Sequence, residues 1–247
     1  MAKALTLNQR HIVARFMDAT SGEIEYGKQW YSIAYAIAKR ISLEYGINTE
    51  TVAAVIAALS PNNKWERNIK DAENAVAAYM LGGVEEAMNV KVCTYKKNLA
   101  KAVYCLNSCH CDYESLLIGP KVIELYHSIL GANDDVCIDG HAYSVWFGER
   151  LTMKEVPNIG KILRQRIKDD YIIATEFIND NGDELFTPCQ IQAITWFAHK
   201  RLHNVWTLSV CCYLRCQPYA WWRDGSRTNY HPITIVWHCM DAGTLSM

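Results

Sequence analysis

Apolar side chains recur every three or four positions through most of the chain before about residue 204, which predicts a series of helices. The first strong apolar face ends at Gly46, a residue type that commonly terminates helices. Asn48 or Thr49 can cap the next helix. Pro61 stops that helix, because the residue before a proline avoids helical geometry. The first face carries Trp30, Ile33, Ala34, Ile37 and Ile41.

Start and stop signals divide the rest of this region into further helices. Pro120 suits a first helical turn, where its missing N–H costs nothing. Asp139 is a good N-cap, and Thr187 to Gln190 read as a capping box with a proline at the first helical position. The sequence therefore predicts an all-α protein. The further helices are expected at about residues 64–81, 95–106, 112–118, 120–130, 139–146, 159–178 and 187–203.

The residues beyond about 204 differ in composition from the rest. Residues 206–247 hold four of the eight Trp and four of the ten Cys, but only five charged residues. Ile233 to Trp237 favour a strand over a helix. We expect at most a short β element in this Trp- and Cys-rich tail.

Composition and charge narrow the class of protein. Of the 247 residues, 50% are hydrophobic and 21% are charged, which excludes a disordered chain. The longest apolar run, Val52 to Leu59, is too short to cross a bilayer, and the first residues lack the apolar segment of a secretion signal. We therefore expect a soluble, cytoplasmic protein whose cysteines are free thiols. The net charge of −1 gives no overall basic surface for nucleic acid, although a local basic face remains open.

Lys121 and Asp139 form the most specific pattern in the chain. A short helix, a Gly-Pro turn, a lysine that starts an apolar helix, a loop and an aspartate N-cap follow one another, and the two residues are 18 positions apart. A carboxylate stabilises positive charge that develops on a sugar, and a helix N-terminus keeps it ionised. A lysine whose pKa is lowered can attack the sugar carbon on which that positive charge develops. Each residue alone has an ordinary alternative as a helix-start residue or a cap.

This layout resembles the helix-hairpin-helix (HhH-GPD) superfamily of DNA glycosylases, of the endonuclease III and 8-oxoguanine glycosylase type. The similarity extends upstream to Ala57–Asn63 and Tyr95–Ala102, covers roughly residues 50–150, and reaches more loosely to 187–203. The resemblance implies an all-α architecture of two lobes with the active site between them. One lobe would be a helical barrel at 50–138 with the hairpin at about 111–130, and the other would combine 1–49 with 139–247.

The resemblance also implies a function, the excision of a damaged or modified base from double-stranded DNA after the base is flipped out. Lys121 would form a Schiff base and give AP-lyase activity, and Asp139 would assist. The expected DNA contacts are Asn62, Asn63, Lys64, Gly119, Lys96 and Lys97. The expected pocket residues are His141, Gln192 and Trp196.

The chain departs from this superfamily in its hairpin and its cysteines. The usual L-P-G-x-G-x-K hairpin is replaced by Leu116-Leu117-Ile118-Gly119-Pro120-Lys121, without the first glycine. Many relatives hold an iron–sulfur cluster on four C-terminal cysteines, but Cys211, Cys212, Cys216 and Cys239 lack that spacing, so we predict no cluster and no other cofactor. Cys105, Cys109, His110 and Cys111 lack a second ligand pair at zinc-finger spacing, and we predict no metal site.

Two alternative functions remain open. Relatives of this superfamily occur in bacteriophage gene sets that make or remove hypermodified thymines, and such an enzyme would work in the host cytoplasm. A non-catalytic DNA-binding or inhibitory protein on the same fold is favoured by the altered hairpin and disfavoured by the retained Lys121–Asp139 pair. Ordinary structural roles also remain for Asn62 and Asn63 as a turn, and for His141 and Trp196 as core residues.

Overall fold

The computed structural model describes residues 4–108, 112–152, 154–203, 221–223 and 230–232. The chain divides into two compact units, Met1–Val205 and Trp206–Met247. The described residues of the first unit form ten α-helices, so the predicted all-α class is confirmed. In the second unit, β1 (Trp221–Arg223) pairs with β2 (Tyr230–Pro232) in an antiparallel hairpin. The strand predicted at 233–237 lies outside the described residues.

The helices begin and end close to where capping and breaking residues place them. Thr6, Thr20 and Thr187 each form a capping box with the residue three positions on, as predicted for Thr187. The helices are α1 Leu7–Met17, α2 Ser21–Tyr45, α3 Thr49–Leu59, α4 Trp65–Met88, α5 Lys96–Asn107, α6 Tyr113–Leu117, α7 Pro120–Ile129, α8 Gly140–Phe147, α9 Lys161–Asp180 and α10 Pro188–Leu202.

Helix α4 differs from its predicted extent. The prediction ends it before Gly82 and Gly83, but in the structure helical geometry resumes after them and continues to Met88. Gly83 has φ 68°, a left-handed conformation that glycine adopts at little cost. The two glycines therefore kink the helix rather than end it.

Helix α3 is the core of one group of helices. Every residue from Thr51 to Leu59 is buried, as expected for a helix that is apolar on nearly all sides. It packs against α2, α4, α5, α6 and α7. This group carries the hairpin with Lys121.

A second group consists of α1, α8, α9 and α10, which pack on one another around Tyr171. Asp170 of α9, which is 7% exposed, ties this group together. Its carboxylate accepts hydrogen bonds from Gln9 Nε2 at 2.6 Å and from Trp146 Nε1 at 2.7 Å. Helix α2 packs against both α10 and α3, so it links the two groups.

No helix in the described part of the chain combines the length and the apolar character that a membrane span needs.

Candidate active site

Asp139 caps helix α8, as predicted. Its Oδ1 accepts a hydrogen bond from the backbone N–H of Ala142 at 2.8 Å. The three residues before it, Val136 to Ile138, are buried, while Asp139 itself is only partly buried. The carboxylate therefore stands at the end of a packed segment and keeps some contact with solvent.

Lys121 lies in the first turn of helix α7, directly after Pro120. Its backbone carbonyl accepts a hydrogen bond from the thiol of Cys137, with the sulfur 3.7 Å from the oxygen. Because Cys137 is two positions before Asp139, the loop that carries Asp139 runs beside the start of α7. The charges of Lys121 and Asp139 both act on the imidazole of His141. The structure thus brings the pair predicted from the sequence into one neighbourhood.

A buried ion pair holds that arrangement. Glu124 of α7, which is 3% exposed, accepts from the backbone N–H of Ile138 at 3.0 Å. Arg164 of α9 donates to the Ile138 carbonyl at 2.9 Å and to Glu124 at 2.6 Å. The residue before Asp139 is therefore fixed through both its N–H and its C=O. One anchor comes from the same helix as Lys121.

Two histidines, His141 and His199, experience the charge of Asp139. His141 is partly buried, and burial lowers its pKa, with Asp139 acting in the opposite direction. The ring of His141 is 5.9 Å from that of His199 on α10, and the His199 ring is 4.5 Å from that of His203. Burial and the neighbouring His203 and His141 lower the pKa of His199 to about 3. Both rings are thus held in the neutral form near pH 7.

Three partly buried indoles, here called the indole cluster, lie beside these histidines: Trp30 of α2, Trp65 of α4 and Trp196 of α10. The ring centroids of Trp30 and Trp65 are 4.9 Å apart, and those of Trp30 and Trp196 are 5.9 Å apart. The His141 ring meets the Trp196 ring at 6.0 Å and 89°. Sequence reasoning missed Trp30 and Trp65, since their meeting depends on how α2, α4 and α10 pack.

Lys200 is a second residue that sequence reasoning missed. It lies one turn after Trp196 on α10, and its Nζ is 3.9 Å from the centroid of the Trp196 ring. Burial lowers the pKa of Lys200, while Asp139 and Glu66 act in the opposite direction. The spacing of four positions from Trp196 could have indicated a shared helix face.

Gln192 has a different setting from the other predicted pocket residues. It is 5% exposed, and its Oε1 accepts a hydrogen bond of 2.7 Å from the hydroxyl of Tyr31. Burial raises the pKa of Tyr31 well above its ordinary value, with Cys137, Cys189 and Asp139 acting in the same direction. Tyr31 therefore stays protonated and ties α2 to α10 close to Asp139.

The segment predicted to reach into DNA adjoins this site. Asn62 is exposed, has φ 56°, and donates to the hydroxyl of Tyr95 at 3.2 Å. Asn63 instead bonds inward, to Asp71 at 3.0 Å. Lys64 is exposed, and its charge acts on Lys200. Asn62 and Lys64 thus face solvent beside the indole cluster, while Asn63 holds the turn.

The hairpin has an unusual backbone. Gly119 is the N-cap of α7 with φ 128°, and Ile118 before it has φ 42°, which is rare for a β-branched residue. The ammonium of Lys101 donates to the carbonyls of Leu117 and Ile118, both at 2.9 Å. Lys101 therefore holds the end of α6 and the start of the hairpin in place.

The other basic residues of α5 and α9 that are described here are either exposed or paired. Lys96 and Lys97 are exposed at the start of α5, and Lys97 lies 5.6 Å from the centroid of the Tyr95 ring. Lys168 pairs with Glu124 and Asp135, as Arg164 does with Glu124. Arg164 and Lys168 of α9 are therefore engaged in ion pairs.

The cysteines considered as metal ligands fall largely outside the described residues, as Cys109, Cys111, Cys211, Cys212, Cys216 and Cys239 all do. Cys105 is buried, and burial raises the pKa of its thiol to about 12. Across the residues that the structure describes, no three His, Cys, Asp or Glu side chains are grouped so as to hold a metal ion.

Comparison with known proteins places the chain in a family without assigning it an activity. No curated protein and no solved structure matches it. A family described as a family of unknown function, DUF7178, matches residues 2–203, which include all ten helices and every residue of the site described above. The chain therefore belongs to the DUF7178 family.

Proposed function

We propose that the chain is a DNA N-glycosylase with associated AP-lyase activity, acting on a damaged or modified base that is flipped out of double-stranded DNA. One observation carries the proposal. The loop that carries Asp139 runs along the start of the helix that carries Lys121, and both charges reach His141. A carboxylate and an amine are the two groups that this chemistry needs at one carbon.

Asp139 would act on the sugar. As the C1′–N bond breaks, the base leaves with the bonding electrons and accepts a proton, and positive charge develops on the sugar ring. The carboxylate of Asp139 stabilises that charge, and its position at the N-terminus of α8 keeps it ionised.

Lys121 would supply the lyase step. Water adds to C1′ of the sugar cation, and the abasic sugar that results opens to an aldehyde. The neutral amine of Lys121 attacks the aldehyde carbon to give a carbinolamine, whose loss of water gives an imine. Removal of a C2′ proton then expels the 3′ phosphate. Hydrolysis of the imine returns the free lysine. Asp139 can carry the protons between these steps, since a single carboxyl group can act first as an acid and then as a base.

The indole cluster supports the choice of a nucleobase as ligand. Trp30, Trp65 and Trp196 are partly buried, and aromatic faces of this kind stack on bases whatever their sequence. His141, neutral near pH 7, can accept or donate one hydrogen bond at the edge of this surface.

DNA would approach over the exposed residues around the site. Asn62 and Lys64 stand next to the indole cluster, and the start of α7 at Gly119 offers backbone N–H groups to a phosphate. Lys96 and Lys97 add positive charge on the same group of helices. We further propose that the reaction needs no metal or cofactor and takes place in the cytoplasm. The free thiols of Cys93, Cys105, Cys137 and Cys189 are consistent with a reducing compartment.

The test is borohydride trapping of the purified protein on duplexes that contain an abasic site, uracil, 5-hydroxymethyluracil, 8-oxoguanine, thymine glycol or no lesion. We expect a covalent adduct on the abasic duplex, and base release from one of the others that Asp139→Asn lowers by about 10²-fold or more. The duplex processed best identifies the base, and 5-hydroxymethyluracil would favour an enzyme of thymine modification. Absence of both adduct and base release on every duplex would refute the proposal.

A non-catalytic DNA-binding protein is the second candidate, and the hairpin favours it. The hairpin lacks the first glycine of L-P-G-x-G-x-K, and Ile118, which stands beside the glycine that remains, is 67% exposed with φ 42°. Such a protein would bind the duplexes with an affinity that Lys121→Gln and Asp139→Asn leave unchanged, and it would release no base.

A further inference from the structure

Ile118 is exposed in the hairpin, in a backbone conformation that its side chain disfavours. It lies between α6 and α7 with φ 42° and ψ 102°, outside the regions that β-branched residues ordinarily adopt. The residue is 67% exposed, so burial of the side chain offsets little of the cost of this conformation. Packing within the fold therefore does not account for an isoleucine at this position.

The neighbouring residues hold this strained turn in place. Leu117, directly before Ile118, is fully buried. The ammonium of Lys101 donates to the carbonyls of Leu117 and Ile118, both at 2.9 Å. Gly119, directly after Ile118, has φ 128° and leads through Pro120 into α7. Because the turn is anchored on both sides, it keeps the Ile118 side chain at the surface.

Positive charge flanks the exposed side chain. Lys101 Nζ is 2.9 Å from the Ile118 carbonyl oxygen. Lys121 follows three positions later, at most about 11 Å along the backbone. The carboxylate of Glu114 in α6 is engaged by the imidazole of His127 at 2.9 Å. An apolar side chain between two cations matches a ligand with an anionic surface and an apolar interior, and a nucleic acid duplex is such a ligand.

We propose that Ile118 is a wedge that enters the minor groove of DNA and opens a base step there. Aliphatic side chains of this kind part neighbouring base pairs in proteins that kink DNA from the minor groove. The strain keeps the wedge extended in the free protein, and contacts with the opened step offset it on binding. An opened step beside the target nucleotide would also lower the cost of flipping its base. The proposal rests on the DNA binding of the proposed function, and it requires no catalytic step.

The first test measures unstacking in a duplex with a reduced abasic site, which has no aldehyde for Lys121 to attack. The fluorescent adenine analogue 2-aminopurine, whose emission rises when it leaves the stack, is placed in turn at each position next to that site. Ile118→Val and Ile118→Thr are the matched pair, because both stay β-branched with nearly the same shape and differ in polarity. We expect the emission to rise with the wild type and Ile118→Val, and far less with Ile118→Thr. No rise with the wild type, or equal rises with the two variants, would overturn the wedge.

The second test measures affinity for the same duplex by fluorescence anisotropy from about 50 to 200 mM salt. Ile118→Thr removes no charge, so we expect its affinity to be about 10-fold below that of Ile118→Val at every salt concentration. The slope of log affinity against log salt should be the same for both. A shallower slope for Ile118→Thr would mean that phosphate contacts are lost, which contradicts a purely apolar role. Leu185→Thr is the control, because Leu185 is 79% exposed in the loop before α10, and its affinity should equal that of the wild type.

Ile118→Gly tests the cost of the conformation and reports on folding. Glycine adopts positive φ readily, so we expect a melting temperature at or above that of the wild type, together with the lowest affinity of the series. A lower melting temperature would mean that the Ile118 side chain stabilises the free protein, and the residue would then be structural.

The wedge and the proposed function fail in different ways. If the wild type releases a base, and Ile118→Thr binds and unstacks the duplex as Ile118→Val does, the function stands and the wedge is refuted. If binding depends on Ile118 as described but no base is released and no adduct forms, the wedge stands and the glycosylase activity is refuted. A protein that binds none of the duplexes refutes both.

Discussion

Asp139 combines two roles that substitution can separate: it caps helix α8 and it places a charge in the candidate site. The cap needs only an oxygen that accepts from the N–H of Ala142, whereas stabilising a sugar cation needs the full negative charge. The ordinary role of an aspartate before a helix and the catalytic role therefore predict different results for asparagine and alanine.

We expect Asp139→Asn to change the free energy of unfolding by less than about 0.5 kcal/mol, because asparagine is an equally good N-cap. Asp139→Ala should cost about 1 kcal/mol through loss of the cap. Urea denaturation of the three proteins measures both values. If the asparagine variant is as unstable as the alanine variant, the charge itself stabilises the fold and the cap is the lesser role.

Sequence reasoning reached Lys121 and Asp139 because both stand in local helix-start patterns at a recognisable spacing. It did not select Lys200, because the electrostatic effect of Asp139 on Lys200 depends on the packing of α10 on α8. Trp30 and Trp65 were not predicted as site residues for the same reason, because their ring contacts depend on how α2, α4 and α10 pack. Asn63 is the opposite case. Its place in the turn after Pro61 predicted contact with DNA, but its side chain donates a hydrogen bond inward to Asp71.

At the level of elements, the crossing of α2 and α10 depends on a glycine. A Cβ added at Gly27 would lie 2.5 Å from Ile194 Cγ1 and 2.8 Å from the Ile194 Cα and N atoms. A flexible side chain could move aside, but the backbone of α10 cannot do so without disturbing the hydrogen bond between Tyr31 and Gln192. The two helices approach closely because this position has no side chain.

Gly27→Ala should therefore destabilise the protein in spite of alanine's better helix propensity. The propensity gain is about 1 kcal/mol, and overpacking costs about 1–3 kcal/mol, to which the backbone contact adds. Gly22→Ala in the same helix is the control, because a Cβ there meets nothing within 4 Å. Thermal melting should show a lower midpoint for Gly27→Ala and an unchanged or higher one for Gly22→Ala. Equal midpoints would mean that α10 shifts freely.

Helix boundaries were the most predictable part of the fold, because caps and breakers act within a few residues. Thr187 and Asp139 were found in this way, and so was the start of α7 at Pro120. The continuation of α4 beyond Gly83 was not predicted. Ala87 is the buried residue after the two glycines in this helix, and one such position gives little hydrophobic periodicity to detect. The close contact at Gly27 could not be predicted either, because its partner, Ile194, is distant in the sequence.

For the molecule as a whole, two histidines respond to pH in opposite directions. His199 is 2% exposed, is surrounded by His141, His203 and Arg15 with Asp139 nearby, and has a pKa lowered to about 3. His127 loses some affinity for protons through burial, but its bonds to Asp135 at 2.7 Å and Glu114 at 2.9 Å outweigh this and raise its pKa. Acid should therefore weaken the fold at His199 and strengthen it at His127.

We expect the melting temperature of His199→Gln to fall by several degrees less than that of the wild type between pH 7 and pH 4.5. Below pH 6.5 His199 binds a proton in the unfolded state but stays neutral in the native state. The native state therefore loses stability as the pH falls. His127→Gln is the matched control of opposite sign. The stability that His127 adds is present below pH 6.5 and is lost as the pH rises through its raised pKa. Parallel pH curves for wild type and His199→Gln would contradict this account.

The packing of the first helix has a consequence for synthesis. Gln9 in α1 bonds Asp170, and Tyr31 in α2 bonds Gln192, each across 161 positions. At about 5–20 residues per second, a ribosome makes α1 roughly 10–30 s before its partners exist. Helices α3 to α7 can meet one another meanwhile, because they follow each other closely in the chain. Of the helices described, α1 is therefore made first and is among the last to be covered, and during that interval it is most open to chaperones and to aggregation.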